Sequence, residues 1–160
     1  MALRDELGIR MKNFYESVPK TKLLRRTPVA IRIDGKAFHS FTRGMKKPFD
    51  FILIESMQKT MQYLCENIQG CVLGYTQSDE ITLLLIDYKR LNSDAWFDYE
   101  VQKMCSIAAS MATMAFNRYF AEAAAAAMED GVYAEALQKA VQKGAMFDAR
   151  CFNVPKEETA

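Results

Sequence analysis

Two apolar runs, Gly70 to Thr76 and Glu80 to Tyr88, meet across the polar tetrad Gln77-Ser78-Asp79-Glu80. So short a connection can close only an antiparallel hairpin, because a parallel return needs a crossover of a dozen or more residues. The second run, Ile81-Thr82-Leu83-Leu84-Leu85-Ile86, is apolar on both faces, which predicts a central strand. Ahead of the hairpin, residues 49–69 carry Ile54, Met57, Met61, Leu64 and Ile68 at alternating steps of three and four, one helical stripe. Its methionines read as core packing, and Asp50 stands where it can cap or charge the first turn. Earlier still, residues 28–34 read as a strand with Val29, Ile31 and Ile33 on one face and Ala30, Arg32 and Asp34 on the other, ended by Gly35. Residues 94–129 predict one long helix, with Trp96, Val101, Met104, Ile107, Ala108, Met111, Ala115 and Tyr119 toward the core. Asp130-Gly131 breaks it, 132–142 predicts a short helix, and 145–154 a last strand before Pro155. A leading helix over 2–17 aligns Leu3, Leu7, Met11, Phe14 and Tyr15 and stops at Pro19.

Without the leading helix the order is β-α-β-β-α-β, the split unit of ferredoxin-like folds. The expectation is an α+β domain: a four-stranded antiparallel sheet, helices over one face, and the first and third strands adjacent at its centre. A chain of 160 residues allows one such domain. It is read as an N-terminal helix and basic linker over 1–27, a core over 28–155 and a polar tail over 156–160.

Lys+Arg number 21 and Asp+Glu 20, so the formal charge of +1 gives no bulk argument for a nucleic-acid partner, which would need a local patch. Lys20, Lys22, Arg25 and Arg26 form a small basic cluster, either a solvated loop or a phosphate-facing patch. No stretch of about 18 uncharged apolar residues is present, and the acids near the start do not suit a signal peptide, so a cytoplasmic protein without a membrane contact is expected. Cys65, Cys71, Cys105 and Cys151 lie far apart without a C-x-x-C pair and read as buried free thiols.

Asp34 ends a strand, and Asp79 sits at the tip of the hairpin. In a split βαββαβ sheet those two places are neighbours, so the carboxylates can converge. Two ionised carboxylates repel unless a cation lies between them. Mg²⁺ fits, since it takes oxygen ligands and prefers one or two carboxylates plus substrate phosphates. Two ions about 3.5–4 Å apart would clamp the attacking and leaving oxygens of a phosphoryl or nucleotidyl transfer. Gly35 lacks a Cβ, which would let backbone approach a phosphate or lend a carbonyl to the metal. Lys36, His39, Arg43, Lys46 and Lys47 supply positive charge nearby. Asp-Gly after a strand is also an ordinary turn. Glu80, by alternation, points away from Asp79 and reads as a structural acid.

The run Arg32-Ile33-Asp34-Gly35-Lys36-Ala37-Phe38-His39-Ser40-Phe41-Thr42 resembles the metal-binding strand and loop of the tRNA-His guanylyltransferases and their bacterial and archaeal relatives, the 3′-to-5′ polymerases. Lys47-Pro48-Phe49-Asp50, Gly74-Tyr75-Thr76-Gln77-Ser78-Asp79-Glu80 and the segment from Phe147 to Pro155 are similar to further family segments, in the same order. The resemblance implies a polymerase-palm domain and Mg²⁺-dependent addition of a nucleotide, GTP preferred, to the 5′ end of tRNA after activation with ATP. It implies that Asp34 and Asp79 hold two metal ions with help from the Gly35 carbonyl. It also implies that Asp34, Gly35, Lys36, Ala37, Phe38 and His39, with Ser78 and Asp79, line the nucleotide, and that Lys47 and Lys103 match family lysines. A homo-oligomer, dimer or tetramer, is the family expectation. Tyr99 and Glu100 replace a basic pair of the eukaryotic enzymes, which shifts the expected task from tRNA-His maturation toward 5′-end repair. Relative to the family the chain stops early, so the C-terminal region is expected to be absent. Two other readings stay open: a nucleotidyl cyclase on the same palm fold, and a palm remnant that binds nucleotide without transferring it.

Overall fold

The computed structural model describes residues 2–127 and 129–159, with side chains from Glu6 onward. The side chain of Leu3 and the expectations that touch Met1, Met128 and Ala160 lie outside the described residues. The elements are α1 (Ala2–Arg10), β1 (Val29–Gly35), α2 (Phe38–Phe41), α3 (Phe51–Asn67), β2 (Cys71–Gln77), β3 (Glu80–Leu85), α4 (Val101–Ala126), α5 (Gly131–Lys143) and β4 (Phe147–Asn153).

The sheet runs β2-β3-β1-β4 and every pairing is antiparallel. β1 and β3 are therefore the central strands, as the α+β, ferredoxin-like palm expectation requires. Alternation does the sorting. Val29, Ile31 and Ile33 of β1 and Ile81, Leu83 and Leu85 of β3 are fully buried, and they meet Met57 and Leu64 of α3 and Met104, Ala108 and Phe116 of α4 in one core. Each such side chain contributes about 1.5–3 kcal/mol by leaving water. Among the described residues no helix covers the other face. Its register rows are Gln77–Glu80–Asp34–Asp148, Tyr75–Thr82–Arg32–Arg150 and Leu73–Leu84–Ala30–Phe152.

The α3 stripe holds at Met57, Leu64 and Ile68 with Met61 packed against them, whereas Ile54 is half-buried outside the core and Ser56 and Thr60 are buried instead; Asp50 caps the helix, its Oδ1 accepting from Leu53 N–H at 3.1 Å. Three further expectations change. The long helix begins at Val101, not residue 94, because Phe97, Asp98 and Tyr99 all take positive φ, in a short turn over Trp96–Tyr99. Left-handed backbone costs roughly 1–2 kcal/mol per non-glycine residue. Anchors on both sides hold it: Tyr99 is 1% exposed, Asp98 is paired with Lys22 and Arg25, and Tyr99 O accepts from Leu23 N–H at 3.0 Å. The basic cluster is exposed, but three of its four members are engaged by acids and a carbonyl of the chain. Arg25 Nε donates to the fully buried Asp87 at 2.6 Å, Arg26 reaches the Leu91 carbonyl, and Lys22 takes Asp98. These contacts hold the Asp98 carboxyl below the usual range, through Lys22 first. The leading helix, finally, turns π-helical over Met11–Glu16, and its stripe of Leu7, Met11, Phe14 and Tyr15 is exposed rather than packed on the sheet. The tail forms a short 3₁₀ turn over Lys156–Glu158.

All four cysteines are free and half-buried, and they fall into two neighbouring pairs. Cys105 Sγ lies 3.3 Å from Cys151 Sγ, and burial together with Cys65 pushes the Cys71 thiol up to about 12.

Candidate functional site

The corner where β1 ends and the β2–β3 hairpin turns is built by register. Gln77 pairs with Glu80, leaving Ser78-Asp79 as a two-residue loop with Ser78 at φ +57°. Gly35 N–H donates to Asp79 O at 3.0 Å, which ties the end of β1 to that loop. Asp34 and Asp79 are thereby carried on backbone segments joined by a hydrogen bond. Both are half-buried. Ser78 Oγ donates to Asp79 Oδ1 at 3.0 Å, and the Asp34 carboxylate has no hydrogen-bond donor or ion-pair partner among the described residues.

Asp34 has acidic neighbours on both flanking strands, Glu80 across one ladder and Asp148 across the other. Glu80 Oε2 accepts from Arg32 at 2.7 Å, a contact that holds the guanidinium more firmly in its charged form. Arg150 stands 3.8 Å from Asp148. Asp148 was not singled out from sequence, since its place beside Asp34 depends on a pairing between strands more than a hundred residues apart. Among the described residues no group of three or more His, Cys, Asp or Glu side chains gathers as a metal cluster. The oxygen-only set of Asp34, Asp79 and the Gly35 carbonyl suits a hard dication that completes its shell with water and phosphate oxygens.

Beside this corner lies a cleft of about 410 Å³ between α2, the loop leading to α3, and the hairpin. Phe38, His39, Lys47, Ser78 and Asp79 line it, together with Thr42, Met45, Lys46, Pro48, Asp50 and Leu53, and Lys47–Pro48 is a cis peptide. Asp34, Gly35, Lys36 and Ala37 are not in its wall; they join it through the Gly35–Asp79 bond. Lys36 is exposed and its N–H donates to Met146 O, while Ala37 at φ +52° opens α2. Gly35 is needed for packing in the chain itself. A Cβ there would lie 2.6–2.7 Å from ring carbons of Phe38, so the missing side chain leaves room for that ring. Lys103 is not in the cleft. It lies near the start of α4, which is hydrogen-bonded to the Thr21 segment, with Nζ 5.0 Å from the Phe97 ring centroid.

The sequence matches the tRNAHis guanylyltransferase family over residues 8–155. Two solved structures of a bacterial tRNA(His) guanylyltransferase-like protein, one in complex with ATP and one with GTP, are 39% identical to it. They superpose with TM-scores of 0.80 and 0.81 over 96% of this chain, covering 60% and 66% of theirs. The tRNA(His) guanylyltransferase of Schizosaccharomyces pombe is 31% identical over 97 residues, 59% of this chain and 35% of that protein. The chain spans 30% to 42% of the length of the curated relatives it matches. No helix among the described residues is long and apolar enough to cross a membrane.

Proposed function

The chain belongs to the tRNAHis guanylyltransferase family, and we propose that it is the catalytic palm of a nucleotidyltransferase that adds GTP-derived nucleotides to the 5′ end of tRNA, growing it in the 3′-to-5′ direction, in the cytoplasm. The catalytic core is residues 28–155, and the assembly is a homo-oligomer. The observation that carries the reading is the Gly35–Asp79 backbone bond, which places two aspartate-bearing segments together at the mouth of a cleft lined by His39, Lys46 and Lys47.

Asp34 and Asp79 would hold Mg²⁺ with the Gly35 carbonyl. When bound, the metal would neutralise phosphate oxygens and stabilise the charge that develops at the reacting phosphorus. The residues of the chain bind and orient. Lys47 and His39 stand where the anionic tail of a triphosphate needs positive charge. Ser78, in left-handed backbone, presents the hairpin to the same space. Phe38 fixes α2 from below and so sets the direction of His39. The relatives solved with ATP and GTP support a triphosphate as occupant.

The test is extension of a 5′-truncated tRNA with labelled GTP, with and without Mg²⁺. Extension is expected only with the metal, and Asp34→Ala and Asp79→Ala should abolish it while the far-ultraviolet circular dichroism stays unchanged. Activity in either variant, or nucleotide binding with no extension by the wild-type chain, refutes the transferase reading. Formation of a cyclic nucleotide without RNA would assign the cleft to cyclase chemistry instead.

A further inference from the structure

We infer that Tyr133, on α5, is a positioning residue for the nucleotide cleft, acting through Asp50 to hold the loop between α2 and α3; the inference rests on the proposed function. Asp50 is 4% exposed, and its carboxylate accepts three hydrogen bonds and is in no ion pair among the described residues. Leu53 N–H uses Oδ1, the helix cap. Lys46 N–H at 3.0 Å and the Tyr133 hydroxyl at 2.8 Å use Oδ2. A buried carboxylate is tolerable only when its lone pairs are met, so the hydroxyl from α5 completes a set that the loop cannot supply alone.

α5 grips the same loop twice more. Lys46 Nζ lies 4.3 Å from the Tyr133 ring centroid and pairs with Glu129 at 2.9 Å, just ahead of α5. At Gly44, which takes φ +86°, a Cβ would come within 2.9 Å of Ala136 Cβ. The far end of α5 is pinned in turn: Asn117 Oδ1 accepts from Ala145 N–H at 2.7 Å and its amide donates to Ala145 O at 2.8 Å. The helix is thus a brace between α4 and the loop that presents Lys46, Lys47 and Asp50 to the cleft. Tyr133 touches no reacting group; it determines where those three stand. Burial and the Asp50 contact both raise the phenol's pKa, so it stays a donor throughout the working range.

Tyr133→Phe keeps the ring under Lys46 and removes only the hydroxyl. In the free full chain, hydrogen exchange at the Lys46 amide should quicken about fivefold, the loss of one ordinary hydrogen bond. Unchanged exchange there overturns the clamp. With GTP and Mg²⁺, titration calorimetry should show about fivefold weaker binding, and turnover should show a raised KM with kcat nearly kept. Equal GTP affinity in Tyr133→Phe and wild type overturns the positioning role. Ala140→Gly, on the same helix about two turns beyond Tyr133 and 3% exposed, separates positioning from loss of stability: it should lower the unfolding midpoint and leave GTP affinity alone. A GTP loss in Ala140→Gly as large as in Tyr133→Phe overturns the inference. If neither wild type nor variant binds GTP, the proposed function fails, and the exchange measurement still decides whether the clamp exists.

Discussion

Gly35→Ala places a methyl group where the Phe38 ring already sits, 2.6–2.7 Å from two of its carbons. That ring cannot step aside. It is 5% exposed and boxed in by Phe41, Phe116 and Phe147, with ring centroids 5.0, 5.6 and 5.2 Å away. Overpacking of this kind costs about 1–3 kcal/mol. Phe38→Ala opens a cavity instead and costs about 3–5 kcal/mol. In the double variant the new methyl enters the space that the ring vacates. The two losses should then fall short of additivity by about 1–3 kcal/mol, a coupling of the size expected for residues in direct contact. Urea unfolding read by the single tryptophan, Trp96, which is 7% exposed, measures all four corners of the cycle. Additive losses within about 0.5 kcal/mol, the usual result for residues out of contact, would refute the packing account of Gly35. So would a Gly35→Ala chain as stable as wild type. A backbone kept bare only for a metal or a phosphate predicts full stability in Gly35→Ala and lost binding.

Three further outcomes are expected. Asp34→Asn should unfold no earlier than wild type without ligand, because it removes one of three carboxylates on adjacent strands. It should also lose the thermal shift that Mg²⁺ with GTP gives wild type, about 2.7 kcal/mol at a hundredfold excess over Kd; an undiminished shift would count against Asp34 as a metal ligand. Asp87→Asn should lower stability by about 1–3 kcal/mol, because one oxygen that accepts from Arg25 Nε or Arg26 N–H becomes a donor facing a donor; an unchanged urea midpoint would show those contacts to be idle. Cys71 favours its neutral thiol when folded, so its contribution is intact below the unfolded thiol's pKa of about 8.5 and is lost as pH rises toward the folded value of about 12. Stability should fall as pH rises across that window, and Cys71→Ala should flatten the fall.

The α+β fold was legible because its signals are local and periodic. Alternation over residues 28–34 placed Val29, Ile31 and Ile33 in the core. The polar tetrad forced the hairpin, and the stripe from Ile54 to Ile68 placed α3. What escaped were features decided by partners far along the chain. Apolar periodicity runs smoothly through Trp96 into α4, yet Phe97 to Tyr99 adopt left-handed backbone, against intrinsic preference, because Lys22, Arg25 and Leu23 wait there to satisfy them. The same contacts are not legible in the cluster around Arg25, which reads equally as a solvated loop or a phosphate-facing patch: a run of bases shows its charge in the sequence but not the acids that answer it. Asp50 was legible as a helix cap, which needs only Leu53, and not as a hub, which needs Tyr133 from 83 residues away. At Gly35 the missing Cβ was legible, but not the ring that packs where it would stand. Its neighbour is three residues on, but only the turn into α2 brings the ring back over it.

The charges of the corner show how a stable sheet can keep a demand for cations. Like charges on adjacent strands are unfavourable, and the row Glu80–Asp34–Asp148 holds three of them. The next row answers two, Arg32 taking Glu80 and Arg150 lying by Asp148. Asp34, between them, has acids on both sides and, among the described residues, no cation paired with it. Basic side chains do lie close along the chain, but Lys46 is drawn away to Glu129, and Lys47 opens on the cleft. Acid and base are thus kept apart on two elements, a strand end and a loop, although pairing them would remove both charges at once. On the proposed function, Mg²⁺ with a triphosphate would meet both, the aspartates holding the metal and Lys47 answering the phosphates. Under that reading the separation would cost the free protein some stability, and binding of such a ligand would return it.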